Sequence, residues 1–150
     1  MKIRTDYVTN SSSSSFILGF KNEEDIQDIA NELPYYWAEE VKENISSDLK
    51  YGVTTKENAI KLYQDCIWVS NFRFNGKDYW DLTKEERQSE EYKKFIQDKK
   101  DKLSEDLLNK LNEYEIISIV EYEDRDALGS ELEHNIMPYL DCTIKRISHH

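Results

Sequence analysis

The residues best suited to chemistry lie at the two ends of the chain. All three histidines fall within the last seventeen residues, at His134, His149 and His150, and Glu133 and Asp124 stand close by in sequence. Imidazole and carboxylate are the usual nitrogen and oxygen ligands of a divalent transition metal, so these five side chains form the candidate metal set. At the other end, Asn10 leads into Ser11, Ser12, Ser13, Ser14 and Ser15. Hydroxyls and backbone amides in such a tract can bind an anion, and a serine beside an imidazole can act as a nucleophile beside its base.

The spacing limits these readings. No zinc signature joins the histidines, and adjacent His149 and His150 on a strand point to opposite faces, so they do not readily share one ion. Asp124-Arg125-Asp126 resembles the start of a calcium loop, but the glycine and the closing glutamate fall at the wrong offsets. No GxSxG, SxxK, GxGxxG or GxxxxGK[ST] motif is present, so no catalytic role or particular cofactor is implied.

Length and composition describe the body that must position these groups. A chain of 150 residues fits one domain, spanning 1–150. Its 38% hydrophobic content supports a folded core despite 34% charged residues. The formal net charge of −11 disfavours nucleic-acid binding, because phosphates would be repelled. It suits a metal ion, a basic protein partner, or plain solubility. The acid excess sits in two blocks, 22–48 and 113–141, whereas acids and bases balance over 83–112. No apolar run spans a bilayer, and the N-terminus lacks an apolar signal region. With Cys66 and Cys142 isolated, this points to a cytoplasmic protein with reduced thiols and no membrane partner.

The pattern of elements predicts an α+β domain: an antiparallel sheet of three to five strands with helices packed on one face. Residues 2–8 and 16–20 read as strands that pin the serine tract between them as a loop. Asn22 caps a first helix, and Pro34 opens a second that ends at Gly52 as a left-handed cap. Thr54 with Glu57 and Thr83 with Glu86 fit capping boxes. Asn75-Gly76 turns a hairpin. Residues 84–102 read as a solvated helix with little to bury, and Ser104 as the cap of a separate helix after it. Residues 116–122 and 142–148 read as strands. Residues 130–136 alternate as a strand would, with a short helix begun by Ser130 and Glu133 as the competing assignment.

The two ends also carry a resemblance. Arg4-Thr5-Asp6-Tyr7-Val8-Thr9-Asn10 through Ser15-Phe16 is similar to the opening of a group of small bacterial and phage-borne proteins that begin RTDFVTNSSSSSF, with Tyr7 in place of the usual Phe. Leu132-Glu133-His134 and Arg146-Ile147-Ser148-His149-His150 resemble that group's ending. The resemblance implies that the serine tract and the terminal histidine pair are native features, and that both ends build one site. No activity comes with it. The functional expectation is therefore an acidic accessory or interaction protein that binds a basic partner. Its alternative is a metal-binding protein or enzyme whose Ser/His/carboxylate site is formed by the two termini.

Overall fold

The computed structural model describes residues 13–149. The expected strand over 2–8, and Asn10, Ser11, Ser12 and His150, lie outside the described residues. The chain runs β1 (Ser13–Phe20), α1 (Glu23–Glu32), α2 (Glu39–Tyr51), β2 (Val53–Thr54), α3 (Lys56–Asp65), α4 (Lys84–Gln88), α5 (Glu90–Leu111), β3 (Ile116–Glu123), α6 (Ala127–Glu131) and β4 (Thr143–Ser148). Among the described residues, four strands form one antiparallel sheet in the order β2-β3-β1-β4. The α+β class and the antiparallel sheet are as the sequence implies.

The central strand is β1, which begins inside the serine tract. Ser13 pairs with Glu123, and Ser14 and Ser15 pair with β3 on one side and β4 on the other. The last three serines are therefore a strand and not the pinned loop expected. A polar residue can occupy a central strand when the ladder satisfies its backbone and its hydroxyl finds a partner.

Both faces of the sheet are covered, rather than one. Alternation along β1 sends Phe16, Leu18 and Phe20 into one core with Ile26, Ile29, Leu49, Val120, Leu132 and Met137. Ile17 enters a second core on the opposite face, with Ala59, Leu107, Leu111, Ile117 and Ile147. Thus α1, α2 and the segment after β3 cover the first face, while α3 and the C-terminal half of α5 cover the other. Two-sided burial explains why β1 reads as a continuous apolar run after its serines.

Local signals mostly act as read, with five differences. Pro34 does not open α2: the Trp37 N–H donates to the Pro34 carbonyl at 3.1 Å in a turn, and the helix begins at Glu39 after Ala38. The Asn22 side chain caps α1 by accepting from the Asp25 N–H at 3.0 Å. Thr83 and Glu86 close a capping box at α4. Asn75 and Gly76 both take positive φ, 51° and 78°, as the hairpin turn requires. The cap of α3, however, is Thr55 and not Thr54, since Thr55 accepts from the Asn58 N–H. Gly52 is not left-handed, with φ −80°. It is needed because a Cβ there would stand 2.2 Å from the Ile119 carbonyl oxygen. Ser104 lies inside α5, where its hydroxyl donates to the Lys100 carbonyl at 2.6 Å. Finally, the charged stretch does bury something: Tyr92, Phe95 and Ile96 pack with Phe74 and Leu82 in a third small cluster.

Residues 130–136 are helical. The Asp126 side chain accepts from the Gly129 N–H at 2.7 Å and starts α6, which widens into a π-helical turn over Leu132–Ile136. Pro138 then sits at the start of a tight turn over Met137–Tyr139. A strand would have put Leu132, His134 and Ile136 on one side and Glu133 on the other. The helix instead points Leu132, Glu133, Ile136 and Met137 together into the interior.

Candidate functional site

Burial of Glu133 organises the site. Its side chain has no exposed surface. A carboxylate in such a place must be hydrogen-bonded or paired. One oxygen, Oε1, accepts from the Ser14 hydroxyl at 3.0 Å and lies 3.7 Å from Arg146 Nη2. The other, Oε2, lies 3.4 Å from His134 Nε2. The two oxygens thus divide between a serine–arginine side and a histidine side.

Three elements of the sheet supply this arrangement. Ser14 comes from the start of β1, Arg146 from β4 and Asp124 from the residue after β3. In register, Phe16 opposes Arg146, so the guanidinium shares the face of Ser14 and lies 6.0 Å from the Phe16 ring centroid. Arg146 Nε donates to the Ser14 hydroxyl at 3.1 Å. That hydroxyl therefore accepts from arginine while donating to glutamate, which uses its single proton consistently. Arg146 Nη2 also reaches His134 Nδ1 at 3.5 Å. A guanidinium can only donate, so Nδ1 is the acceptor. In the neutral ring the proton then sits on Nε2, facing Glu133 Oε2 and Asp124 Oδ2, the latter at 3.6 Å.

Asp124, Glu133 and His134 each offer a ligand atom, all within 4.8 Å of one another. The edge of a tetrahedron with bonds of about 2.1 Å is about 3.4 Å, the usual dimension of a zinc site. The two distances from His134 Nε2 match that edge.

His149 belongs elsewhere. Its Nε2 lies 2.7 Å from the Ser15 hydroxyl, and its backbone N–H donates to the Ser13 carbonyl at 2.9 Å. Ser14 and Ser15 are consecutive in a strand, so their side chains leave opposite faces. The candidate ligands therefore divide into Asp124, Glu133 and His134 on one face and His149 on the other. The serine tract and the C-terminal segment do meet, but on both sides of the sheet.

Arg146 entered the sequence reading only within the C-terminal stretch that carries the resemblance, and not as a candidate site residue. The available signal was Lys145-Arg146 inside an apolar strand: if both faces are covered, one of the two bases must enter the interior and needs an acid there. The thiols stand apart from this chemistry. Burial, with the Glu32 carboxylate nearby, pushes the Cys142 thiol up to about 12. Burial and Asp65 also raise Cys66. Neither is an activated nucleophile.

Among the described residues, no helix is long and apolar enough to cross a membrane. Comparison of the chain with protein-family models, with curated proteins and with solved structures gives no match.

Proposed function

We propose that the protein binds a divalent transition-metal ion through Asp124, Glu133 and His134. The observation that supports this reading is the convergence of one imidazole nitrogen and two carboxylates at ligand-to-ligand distances, one carboxylate being fully buried. Coordination through Nε2 would require the ring proton of His134 to move to Nδ1, so the Arg146 contact at Nδ1 would have to be given up. Ser14 and Arg146 hold Oε1 of Glu133 and so fix the direction of Oε2, the orienting role that outer hydrogen bonds play around metal ligands. Three protein ligands would leave a coordination position for water or substrate.

Titration of the untagged, chelator-treated chain with zinc and manganese, followed by calorimetry and native mass spectrometry, tests this reading. One ion per chain is expected, with binding weakened at least tenfold by Asp124→Ala and by His134→Ala. No saturable binding, or binding that both variants leave unchanged, would overturn it.

A second reading, an acidic protein that docks a basic partner, is favoured by a distinct surface. Tyr35 and Tyr36 lie between the acidic helices α1 and α2, 93% and 62% exposed. Their rings meet edge to face at 5.9 Å between centroids. Exposed tyrosines within an acidic surface suit lysine- and arginine-rich chains. A lysine-rich peptide should bind in low salt and lose affinity in the Tyr35→Ser, Tyr36→Ser double variant. Equal binding by that variant would remove this surface from consideration.

A further inference from the structure

On the face of the sheet opposite Glu133, a cleft of about 540 Å³ opens between the C-terminal end of α3 and the turns that follow it. Trp68 and Trp80 both line it, and they are 68% and 76% exposed. Tyr79, Asp65 and His149 also line it, with Ser70 and Ser148. Large aromatic rings left this open on a single concavity are the usual mark of a binding surface. We propose that this cleft binds an organic cation, an alkyl- or quaternary-ammonium group, held against the faces of Trp68 and Trp80. The proposal is independent of the metal reading, since none of the three candidate metal ligands lines the cleft.

Three features set the charge of the ligand. Indole faces carry negative potential and are the strongest cation–π partners among side chains. Asp65 adds a carboxylate, and no lysine or arginine is among the described residues of the wall. The wall also includes the C-terminal end of α3, a ten-residue helix whose last turn carries no basic side chain. The dipole of a helix C-terminus favours positive charge there, although the Tyr63 and Gln64 carbonyls already accept from the Cys66 and Ile67 N–H groups at 3.2 Å. An anion would meet all three as repulsion.

The wall is braced before any ligand arrives. Tyr79 and Trp80 pack edge to face at 4.9 Å. Behind them the Arg87 guanidinium stacks on the Tyr79 ring at 4.3 Å and donates to the Tyr79 carbonyl at 2.9 Å. A cation therefore already rests on an aromatic ring of this turn. Elsewhere in the wall, the Ser15 hydroxyl holds the ring of His149. A preformed cleft loses less conformational entropy on binding.

Nuclear magnetic resonance titration reads this directly, because the chain has three indoles and Trp37, half-buried, packs against the core on the other face of the sheet. Choline and its neutral carbon analogue, 3,3-dimethyl-1-butanol, are the paired probes. Choline should shift the indole N–H signals of Trp68 and Trp80 and leave that of Trp37 in place. It should bind at least fivefold more tightly than the neutral analogue. Trp68→Leu and Trp80→Leu should each weaken choline at least fivefold, and Asp65→Asn should weaken it while sparing the analogue. A third probe, Nα-acetyl-lysine methylamide, separates the sources. Tighter binding than choline assigns the cleft to a lysine side chain of a peptide, and weaker binding assigns it to a free quaternary ammonium. Equal affinity for choline and its neutral analogue, or no shift at Trp68 and Trp80 with any cation up to about 50 mM, overturns the proposal.

Discussion

The hydroxyl of Ser14 donates to Oε1 of Glu133 at 3.0 Å, although the two residues are 119 apart in sequence. Both are fully buried, and Arg146 completes the group by donating to the same hydroxyl. A serine in the central strand is thus matched to a carboxylate on a π-helical turn. Ser14→Ala would remove a donor from a buried charged acceptor, a loss of about 1.5–3 kcal/mol. Denaturant unfolding should show a lower midpoint with an unchanged slope. An unchanged midpoint would mean that Glu133 does not depend on Ser14.

The apolar part of β1 is the mechanical centre of the fold. Ile17 has no exposed surface and joins the core beneath α3 and α5. Ile17→Ala should cost about 2–5 kcal/mol, through lost transfer energy and the cavity left behind. Thermal and urea unfolding would reveal this. A loss below about 1 kcal/mol would show that the second face is loosely packed.

The pH dependence includes one carboxyl that opposes folding at neutral pH. Partial burial raises the Glu32 carboxyl above its ordinary value, and the nearby Asp141 adds to the effect. The folded state then holds this proton more tightly than the unfolded state. Its contribution is most favourable below the unfolded value and is lost as pH rises through the folded one. Glu32→Gln should therefore raise the melting temperature slightly at neutral pH. The gain should vanish at a pH below the carboxylate range. A gain that is constant across pH would point to a cause other than ionisation.

The two thiols should differ in reactivity. Cys142 is pushed up to about 12 by burial, with Glu32 nearby, whereas Cys66 is raised with less burial. At about pH 8, iodoacetamide should label Cys66 before Cys142, because only the thiolate reacts. Peptide mass spectrometry over a time course gives the order, and faster labelling of Cys142 would contradict its placement.

The helical entry at Thr83 offers a local test. The capping box satisfies two otherwise unpaired N–H groups: the Glu86 carboxylate accepts from Thr83 N–H at 2.7 Å, and the Thr83 hydroxyl accepts from Glu86 N–H at 3.1 Å. Thr83→Ala should cost about 1 kcal/mol. Hydrogen exchange should quicken in α4 and at the start of α5 while β1 and β3 stay protected. Uniform acceleration throughout would show that α4 unfolds only with the whole domain.

Sequence by itself determined the elements whose signals are local. Asn22, Thr83 and Asn75-Gly76 fix caps and a turn through hydrogen bonds that span three residues or fewer. The β-branched run at 116–122 makes a strand because alternate side chains can be buried on two faces. These suffice for the α+β class and the antiparallel sheet. The grouping of serine, histidine and carboxylate at the chain ends was visible as composition, but its geometry was not. Residues 130–136 satisfied both a strand alternation and a helical cap. The choice fell to tertiary packing, which rewards burying Leu132, Ile136 and Met137 together and brings Glu133 inward with them. Glu133 is tolerated there because Ser14 and Arg146 arrive from β1 and β4. Neither partner could be foreseen without knowing that β1 is the central strand and that helices cover both faces. The same two-sided burial sends Ser14 to one face and Ser15 to the other. The tertiary structure therefore places His134 in a carboxylate cluster and His149 at an aromatic cleft, since neighbouring residues in a strand must point opposite ways.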